Sequence, residues 1–360
     1  MLQQDKTKHQ PVIIAGMHRS GTSLTAAILE KAGVHVGNEL LGANTGNPQG
    51  HFEDKDFLSL HQEILISQGI SAEGWTPLSR VDVPQQFWTQ AMALCDLRTS
   101  QHPLWGWKEP RTTLFLDFWA GLLPDAQFIF PYRVPWEVID SLFVRGDPAF
   151  HHNPHFAAEV WIAYNQTVLD FCHRHPNQTF LFNCDVLKTD ESQWINCVAD
   201  KFQRPLVTPT ETVFQAGVMH AQVSNTHRPA LLARHCPQAL EVYQALETQA
   251  ELPSQSPPLD IAVLTAAADH PDWVLQDWFT ASHAQGIAAK MEPMQVELQK
   301  IHAELHKAQI ELQQTQAQLM QAQTQADHWQ ATTQAMEANR LWQLRNAWVG
   351  LKGALGWRKE

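Results

Sequence analysis

A glycine-containing loop near the start of the chain has the clearest chemical signature. It follows a short apolar run, Val12 to Ala15, and precedes a segment, Thr22 to Lys31, with the apolar spacing of a helix. Between a strand and a helix, backbone N–H groups and the helix N-terminus can bind a phosphate. The sequence therefore predicts an anion site formed by His18, Arg19, Ser20, Gly21, Thr22 and Ser23.

The cation of this loop is not where a nucleoside triphosphatase needs it. Such an enzyme has a lysine directly after the second glycine, where it reaches the β- and γ-phosphates. Thr22 stands at that position, and the loop instead contains Arg19. An arginine there could neutralise negative charge that grows on a leaving phosphate oxygen. A P-loop nucleotide-dependent phosphotransferase is a second interpretation, but it also needs magnesium-binding groups that we do not find in the sequence.

The run from Arg19 to Ser23 resembles the 5′-phosphosulfate loop of the sulfotransferase family. That loop has Lys or Arg, a small residue, Gly-Thr and then Thr or Ser, and this chain matches it position by position. The arginine form is similar to the protein-tyrosine and bacterial branches. The resemblance implies that a sulfuryl group passes from 3′-phosphoadenosine-5′-phosphosulfate (PAPS) to a hydroxyl or amine. Adenosine 3′,5′-bisphosphate would be the product, and no metal is expected.

Further residues match positions that the family uses. Arg133 and Ser141 have the eight-residue spacing of the arginine and serine that bind the 3′-phosphate in the family. Arg228 resembles a late cofactor-contacting basic residue, although the family's late glycine-rich motif is absent. Lys108 resembles the lysine that contacts the sulfonate and the bridging oxygen. Its motif departs from the common Lys-Asp-Pro-Arg by having Glu109, so we assign the function to Lys108.

Two candidates for a general base lie in the turn-rich segment from Asn47 to Asp54. Bacterial sulfotransferases commonly have Asn-Pro, Gly, an aromatic residue and Glu there, so Glu53 is the first candidate and His51 the second. A base must take the proton of the attacking hydroxyl, and both side chains can do so. The alternative is a helix-capping turn with solvated carboxylates. The predicted catalytic residues are thus Glu53, His51, Arg19 and Lys108.

The elements that must position these residues alternate between strands and helices. Apolar strand segments are predicted at 11–17, 105–108, 126–133 and 179–187, and helical spacing follows each of them. This alternation predicts an α/β fold, a P-loop-type parallel sheet flanked by helices, whose ligands bind at the carboxyl ends of the strands. The sulfotransferase domain is predicted at residues 11–235, followed by a helical extension or linker at 236–287.

The C-terminal part of the chain differs in composition. Heptads of apolar residues predict a coiled coil at 288–338, and Trp, Leu and Val interleaved with Arg and Lys predict a basic amphipathic tail at 339–360. We expect self-association, or pairing with a partner helix, through the coiled coil. Contact of the tail with an anionic membrane surface or a protein is also expected. A non-catalytic coiled-coil scaffold is a third interpretation of the chain.

Composition narrows the possible partners and location. A net charge of −12 argues against general nucleic-acid binding. Five widely spaced cysteines without a CxxC pair suggest neither a disulfide framework nor a cysteine zinc site, which favours a cytoplasmic protein, with a possible peripheral place at the inner face of a membrane. The acceptor is left open among a polysaccharide, a lipid-linked sugar, a small metabolite and a protein.

Overall fold

The computed structural model describes residues 10–42, 50–214, 227–257, 259–267, 272–338 and 340–355. The chain forms two compact units, Met1–Pro271 and Asp272–Glu360. All the strands that the structure describes belong to the first unit. The candidate site residues named above also belong to that unit.

The first unit is built on four parallel strands: β1 (Val12–Ile14), β2 (Gly106–Lys108), β3 (Gln127–Tyr132) and β4 (Thr179–Asn183). Their order in the sheet is β2-β1-β3-β4. The register places Ile14, the last residue of β1, beside Lys108 on one side and Ile129 on the other. The carboxyl ends of β1 and β2 therefore lie level with each other.

The helices of the first unit connect and cover these strands. They are α1 (Thr22–Lys31), α2 (Lys55–Ser67), α3 (Gln86–Gln101), α4 (Leu116–Leu122), α5 (Pro135–Arg145), α6 (Pro148–His152), α7 (Pro154–Arg174), α8 (Val186–Thr189), α9 (Glu191–Phe202), α10 (Arg228–His235), α11 (Pro237–Gln249) and α12 (Ile261–Ala267). A 3₁₀ helix, Pro110–Phe115, directly precedes α4.

Side chains along β1 alternate between two hydrophobic cores. Ile13 packs with residues of α2, α3 and α7, whereas Val12 and Ile14 pack with residues of α1 and α9. Successive side chains of a strand point to opposite faces of the sheet. Helices therefore cover both faces, which confirms the predicted α/β fold with a parallel sheet flanked by helices.

Four helices of the first unit, α2, α3, α6 and α8, were not predicted from the sequence. Asp54 caps α2 by accepting a hydrogen bond from the Asp56 N–H at 2.9 Å. The apolar residues of α2, such as Phe57 and Leu60, are fully buried. The turn-rich segment that precedes α2 is predicted to supply a base. The structure shows that its last residue, Asp54, also caps the helix that follows.

The second unit consists of two helices, α13 (Asp272–Ala338) and α14 (Arg340–Ala354). α13 contains Pro293 and begins before residue 288, the predicted start of the coiled coil. Its heptad residues are exposed in the single chain, and Leu298 and Leu305 are more than half exposed. No helix among the described residues is long and apolar enough to cross a membrane.

Candidate functional site

Several predicted site residues lie at the carboxyl ends of adjacent strands. The phosphate loop follows β1, Lys108 ends β2, and Arg133 directly follows β3. Because β1 pairs in parallel with both β2 and β3, these three ends meet at one edge of the sheet. Open α/β sheets bind ligands at this edge.

The phosphate loop turns through left-handed backbone conformations. Gly16, Arg19 and Gly21 have φ values of 121°, 66° and 92°. A Cβ on Gly16 would lie 3.1 Å from the carbonyl oxygen of Pro131, so the close approach of β3 also requires glycine. A non-glycine residue in this region costs about 1–3 kcal/mol, and such strain is concentrated at ligand sites.

Polar groups of the loop point to an anion. Gly21 is the N-cap of α1 and has no side chain with which to cap the first N–H groups of that helix. The Ser20 hydroxyl is buried and has no hydrogen-bond partner among the described residues. The Gly16 N–H, in contrast, donates to Thr113 Oγ1 at 2.8 Å. A phosphate or sulfate at the helix N-terminus would supply acceptors for the remaining donors.

Helix α5 brings the two predicted phosphate-binding regions together. Arg19 Nε in the loop donates to Ser141 Oγ on α5 at 2.7 Å. Arg133 is buried just before the start of α5, and its Nε donates to Glu137 Oε2 at 2.6 Å. The residues predicted to bind the 5′-phosphosulfate and the 3′-phosphate are therefore neighbours in the fold.

Three further arginines, each paired with a carboxylate, lie around this contact: Arg133, Arg145 and Arg228. The pKa of Arg19 is lowered, because its guanidinium is buried and because Arg145 and Arg133 repel its charge. Arg228 forms an ion pair with Asp140, which precedes Ser141 on α5. A bound anion would relieve the repulsion among the arginines, so the cluster suits a phosphate or sulfonate group.

Lys108 and Glu53 form a buried ion pair. Lys108 Nζ donates to Glu53 Oε1 at 2.9 Å, and the two residues are only 2% and 6% exposed. Lys108 Nζ also donates to the backbone carbonyl oxygen of His51 at 2.8 Å, and Ser23 Oγ donates to the same oxygen at 3.0 Å. These contacts fix the segment of the candidate base against the phosphate loop.

Burial favours the neutral form of both histidines of the predicted site, His51 and His18. His51 is half-buried, burial lowers its pKa, and its Nε2 has no partner within the part of the chain that the structure describes. His18 is buried against Trp75, with ring centroids 4.6 Å apart, and burial lowers its pKa well below the usual value. Residues 47–49 of the predicted turn lie outside the described residues.

Sequence reasoning missed three buried residues behind the ion pair: Glu109, Arg111 and His61. Arg111 Nη1 lies 2.5 Å from Glu109 Oε1 and 3.9 Å from Glu53 Oε2. His61 Nδ1 lies 2.7 Å from Glu109 Oε2. Glu109 and Arg111 stand in the same sequence motif as Lys108, and their opposite charges on either side of one proline could have predicted an ion pair. His61 gives no such signal, because a single histidine on an apolar helix looks like any other buried residue.

Among the described residues, no group of three or more His, Cys, Asp or Glu side chains is arranged to hold a metal ion. The cysteines at 95, 172, 184, 197 and 236 are free thiols.

The fold is an α/β sheet, and the loop and buried cations at its carboxyl edge suit an anionic ligand. Residues 11–183, which contain β1 to β4, match the sequence model described as the sulfotransferase family. This match covers just under half of the chain and supports sulfotransfer as its activity. Glu53, Lys108 and Ser141 lie within the matched region, whereas Arg228 lies outside it.

Solved structures similar to this chain include three bacterial sulfotransferases. The sulfotransferase domain of the Synechococcus PCC 7002 olefin synthase is 17% identical, with a TM-score of 0.36 over 73% of this chain and 97% of that domain. STF9 from Mycobacterium avium is 14% identical, with a TM-score of 0.42 over 69% of this chain and 79% of that chain. STF1 from Mycobacterium tuberculosis H37Rv is 13% identical, with a TM-score of 0.36 over 72% and 76%. Comparison with curated proteins gives no match.

Proposed function

We propose that the enzyme transfers a sulfuryl group from PAPS to a hydroxyl or amine of an acceptor. The observation that carries the proposal is the hydrogen bond between Arg19 and Ser141. It joins the loop that resembles a 5′-phosphosulfate site to the helix that resembles a 3′-phosphate site. PAPS has phosphates at both the 5′ and the 3′ position and would occupy both sites, whereas AMP and ATP have no 3′-phosphate.

The described residues suit such a donor. Thr22, Ser23 and the unpartnered Ser20 hydroxyl would hold the 5′ end at the start of α1. Arg133 and Ser141 would hold the 3′-phosphate, and Arg228 would add positive charge beside α5. PAPS supplies an activated sulfuryl group on a good leaving group.

The proposed chemistry assigns one task to each charged side chain. Transfer forms a bond from the acceptor oxygen or nitrogen to sulfur and breaks the bond from sulfur to the bridging oxygen, whose electron pair stays on the 5′-phosphate. Glu53 takes the proton that the acceptor loses. Arg19 and Lys108 stabilise the charge on the transferring group and the leaving phosphate, so positioning and electrostatics carry the catalysis.

Calorimetric titration of the full chain tests the proposal against a phosphotransferase. We expect adenosine 3′,5′-bisphosphate to bind more tightly than AMP, and ATP with Mg²⁺ to bind weakly. Tight binding of ATP with Mg²⁺ and none of the bisphosphate would support a phosphotransferase instead. Release of [³⁵S]sulfate from labelled PAPS, with water as the acceptor, separates an enzyme from a non-catalytic scaffold without knowledge of the natural acceptor.

We also propose that α13 pairs with a second copy of itself as a parallel coiled coil. Its a and d positions keep one register from Met291 to Met336, in which Thr315 and Thr333 are the polar residues, and exposed leucines occupy consecutive a positions. In a parallel pair, g positions face e positions of the next heptad. Glu297, for example, would face His302 of the second copy, and no two like charges would meet.

Single substitutions in the full chain test this pairing. Leu312→Lys places a charge at an a position and should convert a dimer to a monomer in sedimentation or light scattering. Ile310→Lys is the matched control, because Ile310 is also exposed but lies at an f position, outside the a and d positions. A monomeric unsubstituted protein would contradict the proposal, and so would a Leu312→Lys variant that stays dimeric.

For α14 we propose contact with an anionic membrane surface. Arg345 and Lys352 lie over the rings of Trp342 and Trp348, at 4.8 Å and 4.1 Å from the ring centroids. Its apolar side chains are spread around the helix, so we expect the tryptophans and basic residues to provide the affinity. Co-sedimentation with phosphatidylserine vesicles, but not with phosphatidylcholine vesicles, is the expected result. The cytoplasmic location stays a prediction.

A further inference from the structure

A chain of buried polar contacts extends from the candidate base into the core. Arg111 Nη1 lies 3.9 Å from Glu53 Oε2 and 2.5 Å from Glu109 Oε1. The other oxygen of Glu109 lies 2.7 Å from His61 Nδ1. Trp119 Nε1 donates to His61 Nε2 at 2.9 Å. His61, Glu109 and Trp119 are completely buried, and Arg111 is 7% exposed.

The tryptophan fixes the protonation of His61. An indole N–H can only donate, so His61 Nε2 must accept and carries no proton. The proton of the imidazole is therefore on Nδ1, which donates to Glu109 Oε2. His61 is a neutral hydrogen-bond donor with a single tautomer, and it orients one oxygen of Glu109 while Arg111 contacts the other.

Glu109 and Arg111 stay charged in this environment. Burial opposes ionisation of Glu109, but the Arg111 guanidinium and the hydrogen bond from His61 outweigh it and keep the pKa of Glu109 below its ordinary value. Arg111 is further held by its Nε, which donates to the carbonyl oxygen of Ala72 at 2.8 Å. The position of its guanidinium is thus determined from two sides.

We propose that Arg111 is a positioning residue for Glu53, and that Glu109, oriented by His61 and Trp119, holds Arg111 in place. The inference rests on the proposed function of Glu53 as the base. Lys108 contacts Glu53 Oε1 and is also assigned to the transferring group, so its interaction with Glu53 weakens when that group binds. Arg111 is not assigned to the donor, and its contacts with Glu109 and with the Ala72 carbonyl oxygen hold it beside Glu53 Oε2.

The first test determines which nitrogen of His61 carries the proton, and it needs no substrate. The full chain, labelled with ¹⁵N-histidine, is examined by NMR between pH 5.5 and 8.5, and His61→Asn assigns the resonance. We expect a proton on Nδ1 and none on Nε2. Trp119→Phe should remove the hydrogen bond to Nε2 and change its ¹⁵N shift. A proton on Nε2 in the unsubstituted protein would overturn the assignment of roles to His61 and Glu109.

The second test measures [³⁵S]sulfate release from PAPS, with water as the acceptor. Glu109→Gln and Arg111→Gln should lower kcat by on the order of 10–10²-fold, because small displacements of a catalytic group cost that much. KM for PAPS should stay unchanged. Arg111→Lys keeps the charge and should recover part of the rate, which a purely structural role would not predict. Arg204→Gln is the matched control, since Arg204 is equally buried but hydrogen-bonds to Gln127.

The pH dependence of kcat provides a further readout. Glu53 faces Lys108, Arg111 and the backbone of His51, so loss of Arg111 removes one of two nearby cations. Without that cation a carboxylate is harder to ionise, and the acidic limb of the profile should move to higher pH in Arg111→Gln. Turnover and pH profiles that match the unsubstituted enzyme in folded Glu109→Gln and Arg111→Gln would overturn the inference and leave the proposed function intact. An unsubstituted protein that binds no adenosine 3′,5′-bisphosphate would overturn both.

Discussion

Two adjacent carboxylates, Glu53 and Asp54, are held by two different regions of the first unit. Glu53 pairs with Lys108 at the carboxyl edge of the sheet, with Nζ and Oε1 2.9 Å apart. Asp54 pairs with Arg98 of α3, with Nη2 and Oδ2 3.0 Å apart. All four side chains are buried, so burial and charge pairing alone do not tell a structural ion pair from a candidate catalytic pair.

The difference lies in how the remaining oxygen is used. Both oxygens of Asp54 accept hydrogen bonds, from Arg98 and from the N–H groups of Asp56 and Asn38. Glu53 Oε2 accepts none from the described residues, and Arg111 Nη1 lies 3.9 Å from it. Asp54 is saturated by its partners, which suits an anchor for α2, whereas Glu53 keeps an oxygen that can take a proton.

The largest expected effect is on turnover. Glu53→Gln should lower kcat for sulfate release from PAPS by about 10²–10⁴-fold, because removal of a general base has that cost. Affinity for adenosine 3′,5′-bisphosphate, measured by calorimetry, should stay close to that of the unsubstituted protein. Near-normal turnover in Glu53→Gln, with loss of turnover in His51→Ala, would exchange the roles of the two residues.

Asp54→Asn should act on stability instead. It leaves Arg98 buried with one anionic partner fewer, and removal of one member of a buried pair costs about 3–5 kcal/mol. Urea unfolding measures this loss, while kcat per folded molecule should fall far less than in Glu53→Gln. If Asp54→Asn lowers kcat as strongly as Glu53→Gln, the distinction between anchor and base is wrong.

The contrast between the pairs also shows what could be predicted from the sequence. The parallel sheet, the helix from Thr22 to Lys31 and the placement of Lys108 and Arg133 at strand ends followed from apolar periodicity and local motifs. The difference between Glu53 and Asp54 could not be predicted, because it depends on their contacts with Arg111 and Arg98. Those contacts are set by the packing of the 3₁₀ helix and of α3. Periodicity predicts elements, whereas hydrogen-bond saturation requires the packed structure.

A smaller effect is expected at the residues that we propose to bind the 3′-phosphate. Arg133→Ala should weaken binding of adenosine 3′,5′-bisphosphate by about 1.5–3 kcal/mol, because a phosphate loses one charge-assisted donor. Ser141→Ala removes a neutral donor and should cost less. Calorimetry with AMP is the control, since AMP lacks the 3′-phosphate. Equal losses for both nucleotides would remove the 3′-phosphate assignment from these residues.

The smallest effect concerns His18 and pH. Its folded-state pKa lies below the ordinary value because it is buried, so the unfolded chain binds a proton that the folded protein does not. The free energy of unfolding should therefore fall as pH decreases below about 6.5, by at most about 1.4 kcal/mol per pH unit from this residue. Urea unfolding at pH 7.5 and 5.5 should show a shallower loss in His18→Gln. An identical loss in both proteins would contradict this.

We propose that this enzyme moves a sulfuryl group from PAPS with Glu53 as the base. The direct measurement follows [³⁵S]PAPS with the full chain, in parallel with Glu53→Gln and with the buried control Arg204→Gln. We predict labelled sulfate and adenosine 3′,5′-bisphosphate in equal amounts from the unsubstituted protein and the control, and a rate about 10²–10⁴-fold lower for Glu53→Gln. Undiminished release by Glu53→Gln would contradict the role of the base, and intact PAPS in all three samples would contradict the proposed donor.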